Sequence, residues 1–206
     1  MKKILLTLLV AVMVLGAVTS CKKTVKAIFP EQTFDLPEVV NDLPKLDSVK
    51  IDRSGLGLPD TTVVIPLHTP YDLPTITQHF NMDSIVRANT GNNFGAGDIS
   101  TVKIKEFKLR LVSTNPATSP NATNNLANFE TASFNFSSNS NTTAIKVATV
   151  NFDSTYSVEK VISGDGTPEL RTYLNGTELY YNISASLRKH TNRKMRVSIV
   201  ATLIMK

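Results

Sequence analysis

The chain has 206 residues, with 22 lysines and arginines, 17 aspartates and glutamates, and a single cysteine, Cys21. One cysteine excludes an internal disulfide, and the mild basic charge is spread along the chain, so we expect no nucleic-acid partner. Tryptophan is absent, which disfavours a carbohydrate-binding platform, because such platforms usually depend on exposed aromatic side chains.

Residues 1–21 have the composition of an export signal. Two lysines precede an apolar segment over residues 4–18, and the segment ends in Val18-Thr19-Ser20-Cys21. A branched apolar residue three positions before a cysteine, with small residues between them, forms a lipobox. The stretch resembles the signals of bacterial lipoproteins. That resemblance implies a signal peptide over 1–20, cleavage before Cys21, and acylation of the Cys21 sulfur and of its new amino group, with diacylglycerol on the sulfur and palmitate as an expected acyl group.

Two other interpretations of the leader stay open. A permanent transmembrane helix would need to cross a hydrocarbon core of roughly 30 Å, for which about fifteen apolar residues are few. An ordinary signal peptide would place Cys21 near the cut by chance. We expect a lipid anchor in the outer membrane of a Gram-negative cell. Lys22 and Lys23 depart from the acidic run that resembles a surface-export signal, so the periplasmic face is favoured.

Residues 21–45 are predicted to be the lipidated cysteine and a flexible tether, followed by a β-sandwich domain over 46–206. The motif Asp-Leu-Pro occurs at 35–37 and 42–44, and each proline removes a backbone donor and disfavours helix. A flexible tether of some 24 residues reaches about 25 to 30 Å on average. The domain would then float near the membrane rather than lie on it.

Short apolar runs predict a series of strands after Thr61. Val63 to Ile65 are β-prone and are followed by Pro66, which is typical of an edge strand. Further strands are predicted from alternating or β-prone residues over 75–80, 132–136, 145–152 and 158–162.

One short helix and two loops separate these strands. Asn81 or Asp83 can cap a helix that Gly91 ends. The glycine-rich residues 92–98 lack the Gly-Lys-Ser/Thr ending of a phosphate-binding loop and are predicted to form a turn. Residues 113–128 contain few large apolar side chains and are predicted to be an exposed loop.

A longer strand is predicted over 99–112, with a change of phase near Lys105. Before the change Val102 and Ile104 share one side, and after it Phe107, Leu109 and Leu111 share the other. A β-bulge at this point would return all five apolar residues to one buried face.

The last thirty residues predict the fold class. Apolar side chains alternate over 178–188 and again over 195–206, with a polar turn over 189–194 between them. Period two over ten residues indicates strands, and we interpret the pair as a closing hairpin. Its apolar face needs a second sheet to cover it. We therefore predict an all-β, two-layer, immunoglobulin-like sandwich with one or two short helices.

The polar turn carries the strongest local charge of the chain. Its cationic and titratable side chains are Arg188, Lys189, His190, Arg193, Lys194 and Arg196. They form a possible binding surface for an acidic envelope polymer or another envelope protein. The alternative is a soluble turn whose charges discourage edge pairing.

No catalytic residue, cofactor site or metal site is predicted. His68, His79 and His190 are far apart in sequence, and the acids Asp153, Asp165 and Glu169 lack the pattern of a calcium loop. We expect a lipid-anchored envelope protein that is a non-catalytic binding or structural accessory. One alternative is a carrier of a lipid or other apolar ligand, with a cavity beside Ala132, Ala185 and Ala201. Another is an envelope enzyme whose site is assembled from distant residues.

Overall fold

Alternating apolar residues place the strands of this chain in two packed sheets. The computed structural model describes residues 31–113, 118–166 and 168–206. The strands in this part of the chain are β1 (Gln32–Asp35), β2 (Val39–Leu43), β3 (Ser48–Ile51), β4 (Thr61–Val64), β5 (Pro70–Asp72), β6 (Ile76–His79), β7 (Val102–Leu111), β8 (Phe129–Ser138), β9 (Ile145–Asn151), β10 (Glu159–Ser163), β11 (Glu178–Leu187) and β12 (Met195–Met205). The one α-helix in the same part is α1 (Met82–Asn89), and short 3-10 turns lie at Ser54–Leu56, Ala96–Asp98 and Leu126–Asn128.

The strands form two five-stranded antiparallel sheets and a separate pair. In the first sheet β12 pairs with β1 and β2 on one side and with β7 on the other, and β7 pairs with β10. In the second sheet β11 pairs with β5 and β6 on one side and with β8 on the other, and β8 pairs with β9. Strands β3 and β4 form a two-stranded sheet.

Aromatic side chains join the two sheets at the centre of the core. The fully buried Phe107 of β7 stacks on Phe134 of β8, with ring centroids 5.3 Å apart, and meets the edge of Phe136 at 5.6 Å. Phe136 also packs edge-on against Tyr181 of β11 at 4.8 Å. These contacts confirm the predicted two-layer, immunoglobulin-like sandwich.

The bulge predicted at Lys105 is confirmed by the register of β7 and β12. Glu106 lies opposite Thr202, and Ile104 lies opposite Leu203, so Lys105 has no partner on β12. The apolar residues on both sides of the bulge are buried, whereas Lys105 is exposed. One extra residue therefore returns the strand to a single inner face, as the change of phase indicates.

The closing hairpin is corrected by the sheet assignment. Strands β11 and β12 have the predicted bounds to within one residue and the predicted buried faces, but β11 belongs to the second sheet and β12 to the first. The turn over 188–194 therefore crosses from one layer to the other. Alternation identifies a strand and its inner face, and it does not identify the partner strand.

The predicted tether is wrong from Gln32 onward. Strand β2 pairs with β12 over its whole length, and Phe34, Leu36 and Leu43 are buried in the core. The compact unit of the chain accordingly begins at Thr33. Pro37 and Pro44 lie outside the strands, where a missing backbone donor costs no ladder bond. The remainder of the predicted tether, 21–30, and the signal segment lie outside the described residues.

The predicted helix and glycine-rich turn are present. The Asn81 side chain caps α1 by accepting a hydrogen bond from Ser84 N at 2.9 Å, and Gly91 follows the helix with a φ of 59°. Asp83 of α1 accepts from Ala96 N at 2.9 Å, which ties the turn to the helix. Of the residues described, no helix has the length and hydropathy that a membrane span requires.

Candidate functional site

Arg188, the first cation of the predicted basic surface, bonds to three backbone carbonyls in two other segments. Its Nη1 donates to the carbonyl oxygens of Ala127 and Phe129, both at 2.8 Å, and its Nη2 donates to Phe152 O at 2.9 Å. The guanidinium therefore joins the end of β11 to the residues at the start of β8 and after β9. Such a group stabilises the crossing turn, and both of its terminal nitrogens already donate to backbone carbonyls.

The other five residues of the predicted surface divide into two groups. His190 Nε2 donates to Ile65 O at 2.8 Å, and Arg196 Nε lies 3.2 Å from Asp42 Oδ1. Lys189 and Lys194 are exposed, and Arg193 is half-buried. The six residues therefore lie in the turn and at the start of β12, where Arg188 and His190 bond to backbone carbonyls and Arg196 pairs with Asp42. A binding role for this surface stays a prediction.

Buried asparagines hold the turn in place. Asn128 Nδ2 donates to His190 O at 3.0 Å, and Asn124 Oδ1 accepts from Asn192 N at 2.8 Å. Asn124, Asn125 and Asn128 are all buried. The prediction of an exposed loop over 113–128 is therefore wrong for its second half, and 114–117 lie outside the described residues. The sequence did contain a signal for this ordered structure, because asparagine recurs in the segment and its side chain bonds to nearby backbone. The prediction considered only the lack of large apolar residues and did not use that signal.

The titratable side chains considered for catalysis or metal binding lie in separate places. His68 Nδ1 is 2.9 Å from Glu130 Oε2, and His79 Nδ1 is 3.5 Å from Glu178 Oε1. Asp153 pairs with Lys160 at 3.0 Å. Over 31–113, 118–166 and 168–206 no three His, Cys, Asp or Glu side chains are grouped so that they could hold a metal ion.

The outer face of the first sheet carries a row of cations on its central strand β7. These residues are Lys103, Lys105, Lys108 and Arg110, and the last three are exposed. No residue in the described part of the chain forms an ion pair with any of the four. Glu106 is the one acid of the same strand. We refer to the four cations as the β7 cation row.

Sequence reasoning missed this row, because the strand was interpreted through its apolar residues. The signal was present: basic residues occupy the positions that alternate with the buried ones on either side of the bulge. Aliphatic side chains lie beside the cations. Lys108 is flanked across the sheet by Val161, which is 50% exposed, and by Val200, and Lys103 lies opposite Ile204.

The outer face of the second sheet differs in chemistry. It bears mainly hydroxyl and amide side chains, among them Thr77, Thr131, Ser133, Asn135, Asn182 and Ser184. Tyr180 donates to Glu178 Oε2 at 2.6 Å, and this hydrogen bond raises the pKa of Tyr180. Charge is therefore concentrated on the first sheet, and neutral hydrogen-bonding groups predominate on the second.

A polar pair and a small cavity lie in the described part of the core. Tyr181 donates to Gln78 Oε1, Gln78 Nε2 donates to Pro37 O, and burial raises the pKa of Tyr181. The pair is satisfied, so it has a structural explanation. The cavity of about 30 Å³ lies between the sheets and is lined only by apolar side chains, including Ala132 and Ala185; Ala201 is not part of its lining.

Comparison of the chain with protein-family models and with curated proteins gives no match.

Proposed function

We propose that the chain is a lipid-anchored protein of the bacterial outer membrane, held on the periplasmic side, whose sandwich is a non-catalytic binding accessory. The anchor rests on the lipobox ending at Cys21, the only cysteine of the chain. Binding is proposed because the sandwich presents rigid outer faces of different chemistry. The single observation that carries this role is the β7 cation row, whose members form no ion pair within the described part of the chain.

The position of the row on a central strand supports a binding role over a protective one. Natural sheets place lysines on edge strands, where they discourage pairing with a second chain. Strand β7 is paired on both sides, with β12 and with β10. Its cations therefore have no edge to protect. Glu106 lies on the same strand and Glu159 lies opposite Arg110, and an anionic partner would supply further counter-charge to Lys103, Lys105 and Lys108.

The catalytic alternative has less support from the titratable groups. His68 and His79 each contact a different glutamate, and His190 bonds to a backbone carbonyl. A general base needs a nucleophile or substrate position within hydrogen-bond reach and a group that orients it. These three pairs are on different elements, which favours the binding role.

The experiment that tests the anchor is metabolic labelling with palmitate in cells that produce the wild-type chain or Cys21→Ala. Label is expected in the wild-type protein and is expected to be lost in the variant. Label that persists in Cys21→Ala would refute the anchor. Protease added to intact cells tests the side of the membrane: the periplasmic location predicts digestion only after the outer membrane is made permeable.

A carrier of apolar ligands is the second candidate, and the apolar cavity beside Ala132 and Ala185 favours it. A cavity of 150 Å³ lined by aliphatic and aromatic groups is large enough for benzene. The cavity of about 30 Å³ in this sandwich is a fifth of that. An acyl chain would therefore have to separate the two sheets, which places the carrier role second.

A further inference from the structure

We propose that two copies of the chain pack face to face through the outer face of the first sheet, with a two-fold axis along β12. This inference rests on the proposed binding role of the β7 cation row, and it names the partner as a second copy of the same chain. Acids of the second copy would supply the further counter-charge to the row.

Charge on this face is separated into two strips, one on each side of β12. The acids Asp35, Glu38 and Asp42 are exposed along the edge that β1 and β2 form, and we refer to them as the acid strip. The β7 cation row is the other strip. The side chains of β12 that contact the acid strip are, in the same order, Thr202, Ser198 and Arg196.

The two strips do little to neutralise each other within one copy. Two strand spacings, about 10 Å, separate them, and this distance exceeds the screening length of about 8 Å at physiological salt. No ion pair among the described residues joins a member of one strip to a member of the other. Glu106 and Glu159 lie on the cationic side, where four cations and two acids leave a net positive charge.

Aliphatic side chains lie between the strips. Val200 and Ile204 of β12 are half-buried and face outward, with Lys108 and Lys103 opposite them on β7. A two-fold axis along β12 places each of these aliphatic residues against its own copy. An isologous interface commonly has this form, with an apolar centre and polar groups on both sides.

Rotation about this axis exchanges the two strips. The acid strip of one copy then faces the β7 cation row of the other, because both strips lie one strand away from β12. Glu38 accepts a hydrogen bond from Ser198 Oγ, and Lys108 lies opposite Val200, the next outward residue of β12. Glu38 of each copy would therefore meet Lys108 of the other, and the dimer would contain this contact twice. An axis across the strands would instead bring like charges together.

The area of the face sets the expected strength of the dimer. Strand β12 has 11 residues, which corresponds to about 36 Å, and three strand positions overlap about the axis, so each copy covers about 500 Å². The total of about 1,000 Å² is at the lower limit for a biological interface. We therefore expect a reversible dimer, which a covalent crosslink can trap.

The experiment is crosslinking through one added cysteine in cells that produce the full-length chain. Val200→Cys places a thiol on the axis, and a short bismaleimide can span the roughly 10 Å between stacked sheets. Thr149→Cys is the matched control, because Thr149 is exposed on the outer face of the second sheet. The wild-type chain, in which Cys21 is the one cysteine, gives the background. A crosslinked dimer is expected for Val200→Cys alone, and Ile204→Cys repeats the measurement if Val200→Cys disturbs folding.

Reversal of charge tests the contact between the strips. In the Val200→Cys chain, Lys108→Glu or Glu38→Lys sets like charges together at both symmetry-related contacts, and each should lower the yield of crosslinked dimer about tenfold. Production of the two variants in one cell, with different epitope tags, should restore a crosslinked heterodimer, because both of its contacts again join opposite charges. Lys146→Glu, on the second sheet, should leave the yield unchanged.

The outcomes separate the dimer from the proposed binding role. Equal crosslinking of Val200→Cys and Thr149→Cys, or no heterodimer from the two reversed variants, would overturn the face-to-face dimer. If no dimer forms, the full-length chain in detergent is passed over immobilised polygalacturonate. Retention that Lys108→Glu abolishes would overturn the dimer and keep a binding role for the β7 cation row. No crosslink and no retention would overturn the dimer and count against the binding role as well.

Discussion

Arg188 offers the sharpest test of whether the basic turn is a binding surface or a structural element. Arg188→Lys keeps the charge but loses the planar fork that reaches Ala127 O, Phe129 O and Phe152 O. Each hydrogen bond from a charged donor contributes about 1.5 to 3 kcal/mol net. An ammonium can retain one of the three, and water can reach part of this half-buried site. We therefore expect the free energy of unfolding to fall by about 2 to 4 kcal/mol.

The measurement is urea unfolding followed by far-ultraviolet circular dichroism, on protein produced without residues 1–21. Lys189→Ser is the matched control, because Lys189 is the adjacent cation and is exposed. It should change the free energy of unfolding by no more than about 0.5 kcal/mol. If Arg188→Lys were as stable as Lys189→Ser, the contacts of Arg188 with the three carbonyls would not stabilise the turn.

Two further predictions concern the helix and the cavity. The Arg87 guanidinium, helped by Ala96 N, holds the pKa of Asp83 below its ordinary 3.8. The stability that ionised Asp83 contributes is therefore complete above about pH 3.8. It is lost as the pH falls through the lower pKa of the folded protein. Thermal unfolding from pH 7 to 2 should show the deficit of Asp83→Asn shrinking in that acid range; a deficit constant with pH would contradict this. Val197→Ile adds one methylene beside the cavity and should stabilise the protein by about 0.8 kcal/mol in the same urea assay. Val147→Ile, at a buried valine outside the cavity lining, should destabilise the protein by about 1 to 3 kcal/mol. Equal effects of Val197→Ile and Val147→Ile would show that a side chain cannot fill the cavity.

Local periodicity was sufficient to predict most strands and the bulge. In β7 the apolar residues change phase at Lys105, and only one arrangement buries both Ile104 and Phe107 on the same side. Burial of each large side chain contributes about 1.5 to 3 kcal/mol, so a register that exposed either set would lose several of these contributions. The sequence therefore specifies the bulge through local energetics alone.

Pairing between strands was less predictable. The pattern of β11 and β12 is equally compatible with a hairpin and with a crossing between layers, since both arrangements bury the same alternate residues. The difference lies in the turn, where Arg188 and His190 bond to carbonyl oxygens of distant segments. Those partners are far away in sequence, and no local pattern identifies them.

The error in the tether has a related cause. Proline was interpreted as a sign of flexibility, because it disfavours helix and removes a donor. In Asp35-Leu36-Pro37 and Asp42-Leu43-Pro44 the leucines are buried, and each proline follows or precedes a strand without interrupting it. Short strands between prolines bury little surface by themselves, and β2 becomes ordered because β12 supplies the ladder.

The choice of a candidate binding surface likewise depends on whether charged residues are counted along the chain or on one face of paired strands. A count along the chain selects the turn over 188–196, where five of nine residues are basic, yet part of that charge is directed into the fold. On a strand, every second residue faces the same side, so a search for charge in β proteins should count alternate positions and their cross-strand neighbours. That count selects β7, where Lys108 lies between Val161 and Val200. A central strand with this composition has no need of edge protection, and this is why the proposed binding role is placed on β7 and not on the turn.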